Sequence, residues 1–551
     1  MNKSKSRGLV SSAILKSNLK RFTPLMIMGI VYFFCLYVFP AFFVENLKEH
    51  LLNSFNYSMM GLRFYCAAMP LAVSLAVCSF LHKKNSVMFH HSIPVRRTQM
   101  YLSIVFAGLI IIYVPIILLV LYASAIINLS IACKILCFGI LSSTYVFSIC
   151  ILAGIISGTT VMHFILAVWF NFLPQTIYAV LLTYSQVLLH GFTTNDVMED
   201  VFLMSPETNE FTLLSSINLV YIGILVILFI LAGVLYNKAK LERSENVVIF
   251  NSIKVFLNVL TSIYTMAIFG FITYALKQTP ISFVVSSVIG AIIGTYVGYM
   301  IFNKTFKIFN KQATKLTICI VILSMVLSLS FMFDFYRFES RVPDVNEVKS
   351  VNIASDMLED SSAYDSWNDV FNPQYTRRDI VSNVINIQKY AIANENESKY
   401  VDNVADIFIK YNLKNGKSFT RQYMVVANNK EVKKYMKYIF ESNEYKKKNS
   451  FASIEDKIKS ISVDFSNTGE YIDIPAKYID DIVKAIDKDR HDISFDQRKI
   501  SDNEHISLAI ETTKANNSYI HVTIYNKYKN TLKIINEIKE RQTKWQMFLY
   551  V

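Results

Sequence analysis

The sequence predicts an α-helical polytopic membrane protein of about nine transmembrane helices with a C-terminal α+β extracellular domain, and three observations carry that prediction. Of 551 residues, 53% are hydrophobic and only 18% charged, a balance too apolar for a soluble fold of this length. Apolar runs near residues 24–44, 64–81, 101–123, 135–157, 160–186, 217–236, 255–276, 281–302 and 316–333 are each long enough to cross about 30 Å of hydrocarbon. Charge divides the chain where the last run ends: residues 1–334 hold 22 Lys/Arg against 10 Asp/Glu, and residues 335–551 hold 33 against 32. The basic excess belongs to the membrane half.

That excess also predicts orientation. With the N-terminus inside, segments 1–23, 82–100, 237–254 and 303–315 hold 18 Lys/Arg, whereas the short outside connections hold only Lys48, Arg63, Lys134 and Lys277. An odd number of spans then puts everything after Asp334 outside. The connection at 187–216 agrees, since it carries Asp196, Glu199, Asp200, Glu207 and Glu210 and no Lys or Arg. The expected organisation is a cytoplasmic or interfacial N-terminal segment (1–23), spans one to six (24–236), three further spans (237–334) and an outside domain (335–551).

The first apolar run is about twenty residues long, beyond the roughly 7–15 of a signal peptide, and no small-x-small site follows it, so it is expected to stay as the first helix. Before it, Leu9, Val10, Ala13, Ile14 and Ser17 fall on one side of a helix, with Lys16, Lys20 and Arg21 toward the other. This predicts a short interfacial helix on the cytoplasmic surface, with a plain basic tail as the alternative. All seven cysteines (Cys35, Cys66, Cys78, Cys133, Cys137, Cys150 and Cys319) lie in or beside the spans. The outside domain therefore has no disulfide framework, a pattern suited to a bacterial plasma membrane.

Residues 81–109 form a basic, polar tip between the second and third runs. Lys83, Lys84, Arg96 and Arg97 would each cost roughly 2.5–3.5 kcal/mol at the bilayer centre, which keeps this segment in water. Three roles are open to it: positive-inside anchoring, a metal site at His82, His90 and His91, or a docking helix. No fourth ligand accompanies the histidines and the neighbouring cations oppose a metal, so none is expected. Pro94 close behind Ser92 suits the first turn of a helix that the serine hydroxyl caps, running through Gln99 into the third span.

Energy for transport is approached by elimination. Ion-coupled transporters place charged groups inside the bilayer, yet the nine runs contain no Asp, Glu, Lys or Arg. Their one ionisable group, His163, is expected to be a hydrogen-bonded packing residue. Asn415-Gly416-Lys417-Ser418 has the Gly-Lys-Ser of a phosphate loop, but Tyr411 stands where its first glycine is needed. A hairpin turn between strands 407–413 and 419–425 is the better reading. Nothing points to nucleic acid.

Packing signals lie in three spans. Ser286, Gly290, Gly294 and Gly298 recur every fourth residue in the eighth, and Gly154 and Gly158 in the fourth, small-residue grooves that admit a neighbouring backbone. The fifth carries Asn171, Pro174 and Gln175, an interruption that could either face a substrate path or bond between helices at a kink.

The string His91-Ser92-Ile93-Pro94-Val95, then Arg97, Met100-Tyr101, Ser103 and Ala107-Gly108-Leu109, resembles the cytoplasmic loop and third helix of type-2 exporter permeases of ATP-binding-cassette (ABC) transporters. It departs from that pattern at Arg96, commonly small and polar there, and at Ile104, often lysine. Leu235-Tyr236 with Lys238, Lys240, Glu242 and Glu245 is similar to the family's exit from the sixth helix. Phe333-Asp334 with Glu339, Arg341-Val342-Pro343 and Val348-Lys349-Ser350-Val351 resembles the entry to the C-terminal extracellular domain of a bacterial subgroup. The resemblance implies a six-helix exporter-permease core plus three helices, paired with a second permease as homo- or heterodimer. It implies an ATPase-coupling loop at His91, Ser92, Ile93, Pro94, Val95, Arg96, Arg97, Met100 and Tyr101. It also implies a separate ABC ATPase subunit that holds ATP and Mg, no cofactor in this chain, and export of an amphiphilic cargo through membrane lipid. A competing reading is a membrane-anchored envelope sensor or scaffold with an extracellular ligand-binding domain.

In the outside domain, strand-turn-strand-helix units are expected at 406–441, 460–488 and 505–541. Their helical parts are marked by Val432, Met436 and Phe440, by Ile479, Ile482 and Ile486, and by Leu532, Ile535 and Ile538. Residues 355–400, with the polar ANENES tract, are expected to be a long surface connection or a helical lead-in. Lys446, Lys447 and Lys448 are read as a solvated helix end rather than a polymer-binding patch.

Overall fold

The computed structural model describes residues 8–43, 60–193, 216–239, 246–277, 279–335, 337–358, 373–395, 403–452, 458–465, 470–497, 506–512, 519–524 and 527–549. The acidic stretch 196–210, residues 240–245 of the sixth-span exit and the end of the ANENES tract lie outside them. The chain divides into one unit of residues 1–187 and 197–329 and a second of residues 188–196 and 330–551.

Among the described residues of the first unit, nine helices are long and apolar enough to cross a membrane. In chain order, α1 is Ser12–Phe33, α2 Met60–Cys78, the short polar α3 Lys84–Ser92, α4 Arg97–Ile126, α5 Leu129–Ile156, α6 Thr160–Leu188, α7 Ser216–Lys238, α8 Asn251–Lys277, α9 Pro280–Asn303 and α10 Lys311–Met332. The N-terminal segment differs from expectation. No separate interfacial helix forms among the described residues: α1 is continuous from Ser12 through Pro24 and ends in a π-turn at Phe34–Val38. Its inward residues are Ile14, Leu19 and Phe22, which pack on the core, while Ala13 and Ser17 are exposed.

The fourth span, α5, is the axis of this unit. Its apolar window is 78% buried against 17% for the first and sixth spans, so it is ringed by protein and they face outward. Its hydroxyls are satisfied within the bundle: Thr144 Oγ1 donates to Ile140 O (2.5 Å), Ser148 Oγ donates to Tyr145 O (2.7 Å), and Tyr113 hydroxyl meets Thr144 Oγ1 at 2.5 Å. Such local bonds are what allow polar side chains in an apolar solvent. The boundary between spans four and five is a sharp turn at 157–159. There Gly158 N donates to Val247 O (3.2 Å) and Ile249 N to Ile156 O (2.9 Å), so the segment before α8 crosses this turn as a two-residue ladder.

Among the described residues, the second unit contains two antiparallel sheets. The elements are β1 Val348–Ser355, α11 Arg378–Ala393, β2 Val404–Leu413, β3 Ser418–Val426, α12 Lys430–Phe440, α13 Asn443–Lys448, β4 Ile458–Phe465, β5 Glu470–Asp473, α14 Ile479–Asp492, β6 Ile506–Thr512, β7 Tyr519–Ile524 and α15 Lys529–Leu549. Sheet order is β1-β2-β3 in one sheet and β5-β4-β6-β7 in the other. All three expected strand-turn-strand-helix units are present, with Val432, Met436, Phe440, Ile482, Ile486, Ile535 and Ile538 buried. Residues 378–393 are a helix with Ile380, Val384, Ile387 and Ala391 inward, so the stretch expected as a connection or lead-in contributes core.

The sheets expose a duplication that the three-unit reading missed. Each half runs strand, edge, helix, hairpin, helix: β1, an isolated bridge at Tyr375, α11, β2-β3 and α12, then β4, β5, α14, β6-β7 and α15. The leading strands read Val348-Lys-Ser-Val-Asn-Ile and Ile458-Lys-Ser-Ile-Ser-Val. Both slip register at the lysine, pairing Val348 with Leu413 then Ser350 with Asn412, and Ile458 with Thr512 then Ser460 with Glu511. In both, the serine hydroxyl bonds the residue opposite: Asn412 Nδ2 donates to Ser350 Oγ (3.2 Å) and Ser460 Oγ donates to Glu511 Oε2 (2.8 Å). A shared bulge with a shared cross-strand bond is a built feature rather than an accident of packing.

Carboxylates fasten the loops and helix ends within each half. Asp487 accepts from Ser450 Oγ (2.6 Å), Phe451 N (2.8 Å) and Ala452 N (2.9 Å), and buried Asp489 caps α15 through Thr531 N and Oγ1, both at 2.8 Å. Glu444 accepts from Thr376 N (2.9 Å), Arg377 N (3.2 Å) and Lys448 Nζ (2.7 Å). Burial by itself would raise the Glu444 carboxyl, but the Lys448 ammonium and the two amides outweigh it and hold it below the ordinary glutamate range. A depressed carboxyl contributes stability above its unfolded pKa and loses it as pH falls through the folded value. Amide-exchange protection at Thr376 and Arg377 in the full-length protein should therefore fall as pH drops below about 5, and Glu444→Gln should flatten that dependence.

Candidate functional site

The basic tip between the second and third spans is built from two helices and a proline-induced break. The second span ends at His82, buried rather than in the loop: its Nε2 lies 3.3 Å from Gly154 O and 3.3 Å from Ser157 Oγ, and its Nδ1 3.3 Å from Thr160 Oγ1. Then α3 turns through Met88 and Phe89, which are 58% and 67% exposed. The expected helix start at Ser92 is corrected by the structure. Ser92 is the last residue of α3, its Oγ donating to Phe89 O (2.7 Å). Ile93 precedes proline and is extended (φ −64°, ψ 134°), since the Pro94 ring disfavours a helical residue before it. Helix α4 begins only at Arg97, and from there it does run into the third span.

The loop is tied to three elements. Gln99 Oε1 accepts from Arg96 N (3.4 Å) at the start of α4, and Gln99 Nε2 donates to Gly8 O (2.5 Å). Ser103 Oγ accepts from Ser11 N (2.9 Å), so the segment leading into α1 lies along α4. Arg97 Nη1 donates to Asn237 O (3.0 Å) and Ala239 O (3.3 Å) at the end of α7, where a cation meets the negative end of the helix dipole. Tyr101 hydroxyl donates to Phe229 O (2.8 Å), with its ring 5.8 Å from Tyr236. His91 lies 6.0 Å from the same Tyr236 ring. Burial, then Arg97 and His90, lower the His91 pKa, so this imidazole is neutral at pH 7.

The nine residues of the expected coupling loop thus divide. Met100 and Tyr101 are buried, and His91, Ile93, Val95 and Arg97 are half-buried; Ser92, Pro94 and Arg96 are exposed. Arg96 and Arg97, alike in sequence, differ in use: Arg97 caps a helix and Arg96 faces outward. The sequence missed Met88 and Phe89, although an apolar pair between Lys84 and His90 is its trace. The three histidines diverge. His82 enters the bundle, His90 Nδ1 lies 2.8 Å from Ser86 O, and His91 meets Tyr236. Among the described residues, no three His, Cys, Asp or Glu are grouped as metal ligands.

His163 is buried with Nε2 2.8 Å from Cys150 O, and the α5 glycine beside it explains its fit. A Cβ on Gly154 would stand 2.8 Å from the His163 ring and 3.1 Å from Cys78 Sγ. Gly158 is not in the fourth span: it lies in the following turn, against the backbone of Asn246. In α9 the expected groove is occupied by α8 of the same chain. A Cβ on Gly290 would stand 2.6 Å from Thr265 O, and on Gly294 2.9 Å from Ser262 Cα; Gly298 faces Asn258. Ser286 is rotated off this seam and Ser287 takes its place beside Gly270, because an every-fourth-residue pattern drifts about 40° per step around a helix. Ser262 Oγ and Thr295 Oγ1 meet at 2.9 Å across the seam.

The fifth span is not interrupted. Helix α6 is continuous through Pro174, and Asn171 Nδ2 donates to Ala167 O (2.7 Å) within its own helix and to Cys150 Sγ (3.7 Å) on α5, the bond between helices that the sequence allowed. Asn171 Oδ1 and Gln175 Oε1 are buried with no partner among the described residues, which leaves two acceptors in the bundle. The tempting Asn415-Gly416-Lys417-Ser418 string is the β2–β3 turn: Leu413 N donates to Lys417 O (2.8 Å) and Gly416 takes φ +82°. Comparisons of this chain with protein-family models, with curated proteins and with solved structures find no match.

The glycine seam gives a direct test. Gly294→Val puts methyls against the α8 backbone, and overpacking of this kind costs about 1–3 kcal/mol. The thermal midpoint of the purified protein should fall, while Ile293→Val, at a position 40% exposed, should move it far less.

Proposed function

We propose that this chain is the transmembrane permease subunit of an ATP-driven exporter of the type-2 ABC class, moving an amphiphilic cargo such as a peptide antibiotic, drug or envelope lipid. The observation that carries the reading is the tip of α3. Met88 and Phe89 stand exposed between Lys83, Lys84 and Arg96, while the base of the same loop is hydrogen-bonded to the start of the chain, to α4 and to the end of α7. An apolar anchor rimmed by cations is the composition of a docking surface. A base tied to several spans is what transmits its movement.

In this reading the ATPase subunit binds ATP and Mg and closes, pressing on α3. Because Arg97 grips the last carbonyls of α7 and Gln99 and Ser103 grip the segment before α1, the push reaches the first, third and sixth spans together. Rigid helices then alternate which side they expose, through a second permease copy or a homologous partner. This chain supplies path and lever, and hydrolysis belongs to the partner. The expected setting is a bacterial plasma membrane with the N-terminus cytoplasmic. Parity supports that orientation: the chain enters the second unit after the fifth and again after the ninth span, both odd-numbered, so both exits fall on one side, and the lysine-rich connections fall on the other.

The competing sensor or scaffold reading draws on the duplicated α/β unit, a candidate ligand-binding module outside the cell. The two differ in what α3 does. Phe89→Asp and Arg96→Glu should leave membrane insertion and elution profile unchanged but weaken copurification with the ATPase at least about tenfold, the scale of a hot-spot loss. Arg97→Glu should in addition destabilise the end of α7. Intact ATPase association and stimulated hydrolysis in the Phe89 and Arg96 variants would favour the sensor.

A further inference from the structure

Residues 246–333 carry Lys254, Lys277, Lys304, Lys307, Lys311 and Lys315 and not one Asp or Glu. Five of these lysines cluster where α8 begins, α9 ends and α10 begins, which is one end of an antiparallel three-helix set. A cavity of about 550 Å³ opens between the three helices at that end, within the roughly 300–1,000 Å³ range of small-molecule sites. Its polar walls include Lys254, Lys315, Asn258 and Gln312, and its apolar walls include Val255 and Leu316.

Its charge distinguishes it from a neutral gap. Lys254 and Lys315 bring two ammonium groups to the same cavity, at an end where residues 246–333 hold five lysines and no Asp or Glu. Asn258 gives the cavity no acceptor, since its Oδ1 is buried against Gly298 in the α8–α9 seam. The charge calls for an anion. The apolar wall then continues along helices that lie in the bilayer.

We propose that this cavity holds the headgroup of an anionic glycerophospholipid of the phosphatidylglycerol type. Its phosphate sits between Lys254 and Lys315, and its acyl chains follow Val255 and Leu316 into the membrane. One ligand meets both the charge and the apolar wall. A zwitterionic choline headgroup brings a cation toward the lysines. Basic pockets between helices at a membrane surface are a recurrent form of lipid recognition. The site is independent of the coupling loop and stands or falls separately from the exporter reading.

The cavity on the second unit, lined by Lys446, Lys447, Arg490 and Asp487 with a volume of about 380 Å³, is of a different kind. Asp487 is engaged by Ser450, Phe451 and Ala452, Lys446 Nζ donates to His491 O (2.7 Å) and Arg490 Nη1 to Asn449 O (3.3 Å). Those groups fasten the seam between the halves.

The experiment uses the full-length protein in nanodiscs of phosphatidylcholine containing a minor fraction of phosphatidylglycerol, with retained lipid counted by native mass spectrometry after release into detergent. The wild type should retain phosphatidylglycerol in preference to phosphatidylcholine. Lys254→Ala/Lys315→Ala should reduce that preference about thirtyfold, the scale set by removing two cations from an anionic lipid contact. Lys307→Ala/Lys311→Ala, which removes the same charge at the same end but off the cavity wall, should reduce it far less. Equal loss in the two double variants would overturn the site in favour of a diffuse basic surface, and no loss in the first would overturn it outright. Displacement of the lipid by millimolar glycerol 3-phosphate would overturn the lipid assignment in favour of a free-phosphate site.

Discussion

Hydrocarbon offers no hydrogen bonds, and that constraint shapes everything in the first unit. Hydroxyls on α5, α8 and α9 turn back onto carbonyls of their own helices, as Thr144 does on Ile140, Thr261 on Leu257 and Thr295 on Ala291. Tyrosines reach across instead: Tyr65 donates to Ile112 O (2.9 Å) and Tyr101 to Phe229 O (2.8 Å). With polar groups paired this way, helices can be held by close packing alone, and the glycines of α9 bring its backbone against α8.

The same constraint explains the loop at 84–97. Outside the apolar region backbone groups can be solvated, so a proline break between α3 and α4 is tolerated. The break leaves α3 as a projecting knob whose base is fixed by Arg97, Gln99 and Tyr101. Fixation of the base and exposure of the tip are the two properties that a mechanical input point needs. Neither property requires a charged group within the bilayer.

The second unit solves a different problem. It has no cysteine among its residues and two modest sheets, each of which buries one face under helices. Doubling one ββαββα pattern and joining the halves through Asp487, Arg490 and α13 gives two adjoining cores in place of one larger one. The matched bulges at Lys349 and Lys459 keep each leading strand in register, because a slip of one residue would turn Val351 or Ile461 out of its core.

Length and polarity of apolar runs determined the nine candidate spans among the described residues, and alternation followed by 3.6-residue periodicity determined the strand-turn-strand-helix units, because both depend on which residues meet water and which do not. The sequence also placed Arg97, Met100 and Tyr101 at the head of the third span. Tertiary structure decided what local pattern leaves free. It separated Arg97 from Arg96, since a carbonyl 140 residues away is invisible to spacing. It moved the helix start past Pro94 and put Gly158 in a turn. It exchanged Ser286 for Ser287 because the helix period is not four. It also joined three expected repeats into two halves, since pairing of β4 with β6 crosses a helix. Periodicity records the face that a residue occupies; only the packed chain records what stands opposite it.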